Sequence, residues 1–267
     1  MKQPNKLCKI LLGFDIEEFD LPVEYGCPIP FDQQIKFSGE GTVRILSLLK
    51  KHGIHATFFC TASFVENAPE ILHKIVEDGH EIASHGYHHS KFEDNDYADS
   101  KQKIEQLGGV KVSGFRMPRM HKVNFDLLKS TGYIYDSSLN PTFIPGRYNH
   151  LNKPRLIFEE PNGIIECPSV VTPLFRIPLF WLSFHNFFLG LYLWLFNRTL
   201  QHDGYAVLYF HPWEFIDLKQ DKRWNVPFYI QRHAGEEMAG RLDRFIQYFA
   251  SKGTGFETLD AFLSKRH

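Results

Sequence analysis

Residues 8–20 read "CKILLGFDIEEFD". The first half is an apolar run of strand length, the pattern of a strand covered on both faces. The second half sets four carboxylates, Asp15, Glu17, Glu18 and Asp20, into six residues. Like charges gathered at the end of a core strand repel one another and lose hydration, so something cationic is expected beside them.

The chain beyond this stretch supplies the cover. "TVRILSLLKKHG" (residues 42–53) repeats Val43, Leu46 and Leu49 and stops at a glycine, as a helix does. "IHATFFC" (54–60) reads as a buried strand, and "SFVENAPEILHKIVEDGH" (63–80) as a helix with Ile71, Leu72, Ile75 and Val76 on one face. Between Asp20 and that first helix lies a segment broken by prolines and glycines, read as a loop. "EIASH", "VSGFRMP", "YIYDSSL" and "YAVLYFH" continue the strands, and "DYADSKQKIEQLGG", "VNFDLLKSTG" and "EEMAGRLDRFIQYFAS" the helices. Such alternation predicts an α/β fold, a parallel sheet or barrel with helices outside. No linker, low-complexity tract or repeat interrupts residues 1–267, which read as a single domain.

Composition narrows the function. Thirty basic residues against 31 acidic ones, a net charge of -1, argue against a nucleic-acid partner. The four cysteines (Cys8, Cys27, Cys60, Cys167) are widely spaced and form no CxxC pair, so buried thiols are expected. The N-terminus carries no long apolar segment of signal-peptide type, which suggests a cytoplasmic protein.

In parallel folds the side chains at the C-terminal ends of strands converge on one site. Here those ends carry Asp15 and Glu17, then His85 and His89 of "SHGYHHS", Arg116 of "FRMPRM", Asp136 of "YDSS" and His211 of "YFHPWEF". His85 and His89 are four apart, so one helical turn would aim both imidazoles at one ion; His88 is the other candidate but loses that spacing. A carboxylate from the first strand would complete a facial set and leave positions open for water and substrate. A bound cation is thus one answer to the acidic cluster. Glu18 and Asp20 read as solvated loop acids. Trp213 and Glu214, just past His211, are candidates for a wall of the pocket.

This ordered set resembles the polysaccharide deacetylases of carbohydrate esterase family four, the NodB-homology fold. The first motif, usually two adjacent Asp, takes an Asp-x-Glu form in "FDIEEF". The second, H-[ST]-x-x-H, matches "HGYHH" with Gly86 in place of the hydroxyl residue. The third matches "RMPR", the fourth only "DSS" without the family's nearby Trp, and the fifth, L-x-x-H, matches "LYFH". The resemblance implies an irregular (β/α) barrel of about seven strands and metal-assisted hydrolysis of an N-acyl group from an amino sugar. It makes Asp15 the general base, braced by Arg116, and Glu17, His85 and His89 the ligands of one divalent ion, with zinc the first choice. His211 becomes the general acid, oriented by Asp136, and Leu208 lines the acyl pocket. A backbone N–H at Arg119, after Pro118, is the candidate donor to the oxyanion. The implied partner is an N-acylated amino sugar of a glycan or glycan precursor, free or lipid-linked. A deformylase of a lipid-linked amino sugar and a non-catalytic glycan- or lipid-binding protein are the competing functions.

One stretch stands outside this scheme. Residues 177–197, "IPLFWLSFHNFFLGLYLWLFN", contain no charged residue. Wound as one helix, they put Ser183, Asn186, Gly190 and Asn197 on a narrow strip and apolar groups nearly everywhere else. The segment is long enough to resemble a transmembrane helix, but Asp136 before it and His211 after it belong to one site, which argues against spanning. It reads as a buried helix, a dimer contact, or a helix lying at a membrane surface with Trp181, Tyr192 and Trp194 at headgroup level.

Overall fold

The structure, a computed structural model, describes residues 8–266. Strand β1 (Lys9–Ile16) is buried along nearly its whole length. It is followed by β2 (Thr57–Cys60), β3 (Glu81–Ser84), β4 (Gly114–Phe115), β5 (Tyr135–Asp136), β6 (Phe143–Ile144), β7 (Tyr148–Asn149), β8 (Phe158–Glu159), β9 (Ile165–Glu166), β10 (Tyr205–Phe210) and β11 (Gly255–Glu257). The main sheet runs β10-β1-β2-β3-β4-β5-β9-β8, with β11 beside the first half of β1. Seven strands of this path, β1 to β5, β9 and β10, pair in parallel, and β8 turns back antiparallel onto β9. Strands β6 and β7 form a separate small hairpin. This is the α/β architecture that the alternation predicts, a curled sheet in which β11 adds an eighth parallel strand beside β1, with helices between the strands.

The curl closes by loop rather than by ladder. Past β9 the chain follows the end of β5, with Cys167 N–H donating to Asp136 O (2.8 Å) and Ser169 N–H to Leu139 O (2.9 Å). It then crosses to β10, where Val170 N–H donates to Val207 O at 2.9 Å. The irregularity of the barrel lies in this seam.

Side-chain alternation sorts the core into two layers. Leu11, Phe59, Ala83, Tyr135, Val207 and others fill the inside of the curl. Ile10, Leu12, Phe14, Phe58, Ile82, Leu208 and Phe210 face outward onto the helices. Asp15, in step with Leu11, and His211, in step with Val207, therefore share the interior end of adjacent strands.

Two stretches depart from the expected elements. The helix read from residue 42 begins at Phe31 and runs to His52, so the Gly-containing segment before it is helical. Its Gly41 marks a close backbone approach rather than a break. A Cβ there would lie 2.1 Å from the carbonyl oxygen of Pro212, and Arg44 Nη1 donates to Phe215 O at 2.8 Å. This helix thus clamps the segment that follows His211.

The uncharged stretch 177–197 is not one helix. It divides into Trp181–Asn186 and Leu189–Asp203, separated by Phe187 and Phe188 in extended conformation. The buried Arg241 explains the break, because its Nη2 donates to the carbonyls of Phe184 (2.6 Å) and Phe187 (2.8 Å), groups a continuing helix would use itself. Phe184, Tyr192, Phe196 and Leu200 are buried. Tyr192 donates to Leu179 O at 2.6 Å, so it is a core residue and not at a headgroup level. Among the described residues no helix is long and apolar enough to cross a membrane.

Candidate active site

The site is built at the C-terminal ends of the parallel strands. Arg116, fully buried just past β4, is pinned from several sides. Its Nη1 donates to Asp15 Oδ1 at 2.6 Å, its Nε to Ser137 O and its Nη2 to Ser137 Oγ, both at 2.8 Å. Its guanidinium lies 4.0 Å from the Phe59 ring centroid and 4.8 Å from that of Tyr209. Such a bracketed guanidinium fixes the Asp15 carboxylate in one orientation. The other carboxylate oxygen, Oδ2, lies 3.8 Å from His211 Nε2.

Glu17 stands beside this pair. Its Oε2 is 3.3 Å from His85 Nε2 and 3.1 Å from His89 Nε2. Ligand atoms of the three residues all lie within 4.8 Å of one another. The outer nitrogens are committed elsewhere: His85 Nδ1 donates to Arg116 O and His89 Nδ1 to Asp20 Oδ1, each at 2.8 Å. Those bonds select the tautomer that presents a lone pair on each Nε2, the arrangement found around metal-bound imidazoles. Glu17 Oε2 is buried without a hydrogen-bond partner. Three convergent donor atoms, one of them an orphaned buried oxygen, fit a divalent cation.

The electrostatics agree. Burial raises the Glu17 pKa, but the positive fields of His89, His85 and His211 outweigh it and hold the group at about 2. Burial lowers the His89 pKa, yet Glu17 and Asp20 carry it up to about 9. A cation seated here takes the place of that proton.

His85 and His89 reach this point along an irregular loop rather than the helical turn expected from their spacing. Gly86 accounts for the departure from a hydroxyl residue, because it sits at φ 76° with Phe92 and Pro118 packed where a Cβ would go. His88 is half-exposed, 3.5 Å from Glu18, and is not part of the triad. Asp20 and Glu18 are buried, not solvated. Asp20 orients His89 with one oxygen and accepts from Arg119 Nη2 (2.8 Å) with the other. Glu18 accepts from Thr61 Oγ1 at 3.0 Å.

The partner of His211 differs from expectation. Glu214, three residues on, places Oε1 2.9 Å from His211 Nδ1 and 2.7 Å from its backbone N. Its second oxygen meets the fully buried His185, Nε2 to Oε2 at 2.9 Å. Burial lowers the His211 pKa, but Glu214 first, then Glu17 and Asp15, raise it above the ordinary imidazole value. Burial raises the Glu214 pKa, and bonds to His185 and His211 bring it below the usual carboxylate range. Trp213 stacks on His211 at 4.8 Å and donates Nε1–H to Glu17 Oε1 at 3.2 Å, and Trp181 meets the imidazole edge-on at 5.4 Å.

Asp136 therefore does not orient His211. It accepts from Ser138 Oγ at 2.6 Å and faces Glu166 across the β5–β9 pair. Burial raises both carboxyls, and the Asp136 charge adds to the rise at Glu166. Leu208 is likewise displaced from its expected place. Three positions before His211 on a strand is the opposite face, so Leu208 packs against the helices and Tyr209 takes the position lining the cavity. Arg119 lines the cavity with Trp213, and its φ of 56° turns the chain sharply after Pro118. The sequence reading gave Glu214 as a pocket wall and Asp20 as a loop acid rather than as partners of the two imidazoles, and it did not single out His185. Glu214 carried a signal in its spacing from His211, and His185 was a lone histidine in an uncharged run.

With this geometry in place, comparisons with known proteins gain meaning. The family profile described as polysaccharide deacetylase matches residues 28–133. That span includes His85, His89 and Arg116 and leaves Asp15, Glu17 and His211 outside. A peptidoglycan deacetylase of Helicobacter pylori is 34% identical over 113 residues, 39% of this chain and 39% of that protein, so the match spans well under half of the relative. A Mycobacterium smegmatis structure described as a polysaccharide deacetylase superposes with a TM-score of 0.69 at 20% identity, covering 99% of this chain and 92% of that one. The Puue allantoinase superposes with a TM-score of 0.65 at 19% identity, covering 97% and 90%. At such identities the structures speak to the fold alone. Residues 28–133 thus resemble the polysaccharide deacetylases in sequence, and the chain as a whole resembles them in fold.

Proposed function

We propose that this chain hydrolyses an N-acyl group, N-acetyl in this reading, from an amino sugar of a glycan or glycan precursor, with zinc as the divalent ion. The observation that carries the reading is the convergence of two sets of groups on one cavity: Glu17, His85 and His89 with both Nε2 atoms free to coordinate, and the Asp15–His211 pair beside them. When bound, a divalent ion polarises the amide carbonyl and acidifies the attacking water.

The protein's own groups supply the rest. Arg116 occupies one oxygen of Asp15, which leaves Oδ2 to accept a proton from the attacking water. The Arg119 peptide, at its left-handed turn on the cavity wall, is the donor proposed for the oxyanion. His211, with Nδ1 anchored on Glu214, directs Nε2 towards the cavity, where it protonates the departing amine, a poor leaving group otherwise. Glu214 keeps that imidazole in its protonated form to a higher pH.

The test is acyl release. Purified protein loaded with zinc is offered N-acetylated amino sugars, short glycans and a lipid-linked amino sugar, with acetate and formate both quantified. Acetate release that falls by about 10²-fold or more in Asp15→Asn and in His211→Ala supports the assignment. Formate in its place would make the protein a deformylase. No release from a metal-loaded, folded protein across the panel would leave a binding role and overturn the mechanism.

A further inference from the structure

The most exposed large apolar side chains among the described residues lie in segments that adjoin residues lining this cavity. Phe188 is 81% exposed, Leu174 79%, Phe175 76% and Phe228 72%. Leu174 and Phe175 form the tip of a turn closed by the Val171–Pro178 bridge, two residues before Phe180, which lines the cavity and stacks on Tyr209 at 5.6 Å. Phe228 precedes Ile230, another cavity-lining residue. Asn186 Nδ2 donates to Tyr229 O at 2.9 Å, and so ties that segment to the helix whose end leads into Phe188. Three separate segments thus carry apolar prongs out from one rim.

The prong at Leu174–Phe175 is braced. Arg176, at φ 53°, sends Nη1 to the carbonyls of Pro141 (3.2 Å) and Lys153 (3.1 Å), and its own carbonyl accepts from Thr142 Oγ1 at 2.6 Å. Large apolar groups held rigidly in water cost free energy unless something covers them.

Charge indicates what does. Residues 137–158 and 167–180 contain no Asp or Glu and carry Arg147, Lys153, Arg155 and Arg176, in a chain whose net charge is -1; Arg155 is paired with Asp203, just before the start of β10, so Arg147, Lys153 and Arg176 are the cations near the prong. Arg198 lies 5.6 Å over the half-exposed Trp194 ring. Arginines interleaved with aromatic and aliphatic groups, with acids excluded, match a lipid–water interface bearing negative headgroups.

We propose that this rim docks on an anionic lipid bilayer, with Leu174, Phe175, Phe188 and Phe228 entering the interface and the cavity mouth held at the membrane surface. If the chain acts as an amino-sugar deacylase, its substrate class is then a sugar presented at that surface on a lipid anchor; the docking itself does not depend on the chemistry.

The test is sedimentation of the full chain with vesicles, in the absence of substrate. Wild type is expected to pellet with phosphatidylcholine–phosphatidylglycerol vesicles and far less with phosphatidylcholine alone. Leu174→Ser/Phe175→Ser and, separately, Phe188→Ser should each weaken binding by about tenfold or more, the effect of withholding a large apolar side chain from the interface. Unchanged circular dichroism and melting temperature would show that these exposed substitutions leave the fold intact. A wild type that stays in solution with both vesicle types, equal pelleting with neutral vesicles, or variants that bind as well as wild type would each overturn the proposal. So would a concentration-dependent dimer in sedimentation velocity that the same substitutions abolish, since the rim would then be covered by a second copy.

Discussion

Glu214→Gln separates the observed partner of His211 from the expected one. The substitution keeps the side chain's length and removes its charge. In the native arrangement one carboxylate oxygen serves His211 Nδ1 and its backbone N–H while the other serves His185 Nε2. A carboxamide offers a single acceptor oxygen, so it strands either the His211 donors or the His185 donor in a fully buried position. A buried hydrogen bond to a charged group is worth about 1.5–3 kcal/mol, which corresponds to a loss of about ten- to a hundredfold in kcat near neutral pH. The sign of the pH effect follows from the fields around the imidazole. His211 faces Glu214, Glu17 and Asp15, with Glu214 the largest of the raising influences. A general acid works while protonated, so a raised pKa extends activity upward in pH, and the variant's alkaline limb should move to lower pH. The deficit should narrow as the pH falls to where His211 is protonated in both proteins. Asp136→Asn is the control, because Asp136 bonds to Ser138 and faces Glu166; it should leave the alkaline limb of kcat in place. An unmoved limb in Glu214→Gln, with a shifted one in Asp136→Asn, would refute the assignment.

Three further outcomes are expected. Elemental analysis should find about one equivalent of divalent metal in wild type, none in His85→Ala, and retention in Asp15→Asn, whose side chain is held by Arg116 rather than aimed at the triad. Asp20→Asn, which alters the support behind His89 and the ion pair with Arg119, should weaken metal affinity by about 10–100-fold as read by competition with a chelator; unchanged affinity would return Asp20 to the role of a loop acid. Gly41→Ala should lower the melting temperature by an amount equivalent to about 1–3 kcal/mol, because its Cβ would overlap the Pro212 carbonyl and push the segment carrying Trp213 and Glu214; a neutral effect would mean that the helix and that segment part easily.

The strand ends were legible because buried parallel strands read as apolar runs and the polar residues that follow them stand out. Asp15, His85, Arg116 and His211 were found in that way, and all lie where the strands end. What escaped depended on geometry that spacing in sequence does not carry. Leu208 was assigned to the pocket by the resemblance of "LYFH" to the fifth motif, but three steps along a strand reverse the face. Glu214 was read as wall, since only the tight turn after His211 folds its carboxylate back onto the imidazole. Asp20 read as a solvated acid until the loop of His85 to His89 covered it. The uncharged run of 177–197 has no helix breaker at its division; the cause is Arg241, more than fifty residues away in sequence. Gly41 read as loop because glycine at a backbone-to-backbone contact is indistinguishable, in sequence, from glycine at a turn.

Trp213 touches both halves of the site: its indole N–H bonds Glu17 and its ring lies on His211. Glu17 is also one of the charges that raise the His211 pKa. An ion that neutralises Glu17 must therefore loosen the proton on His211. Thermodynamic reciprocity then requires that protonating His211 loosen the ion by the same factor. On the proposed assignment, ligand and proton would compete across the indole without sharing an atom, and the retention of an ion at Glu17 would depend on the protonation of His211.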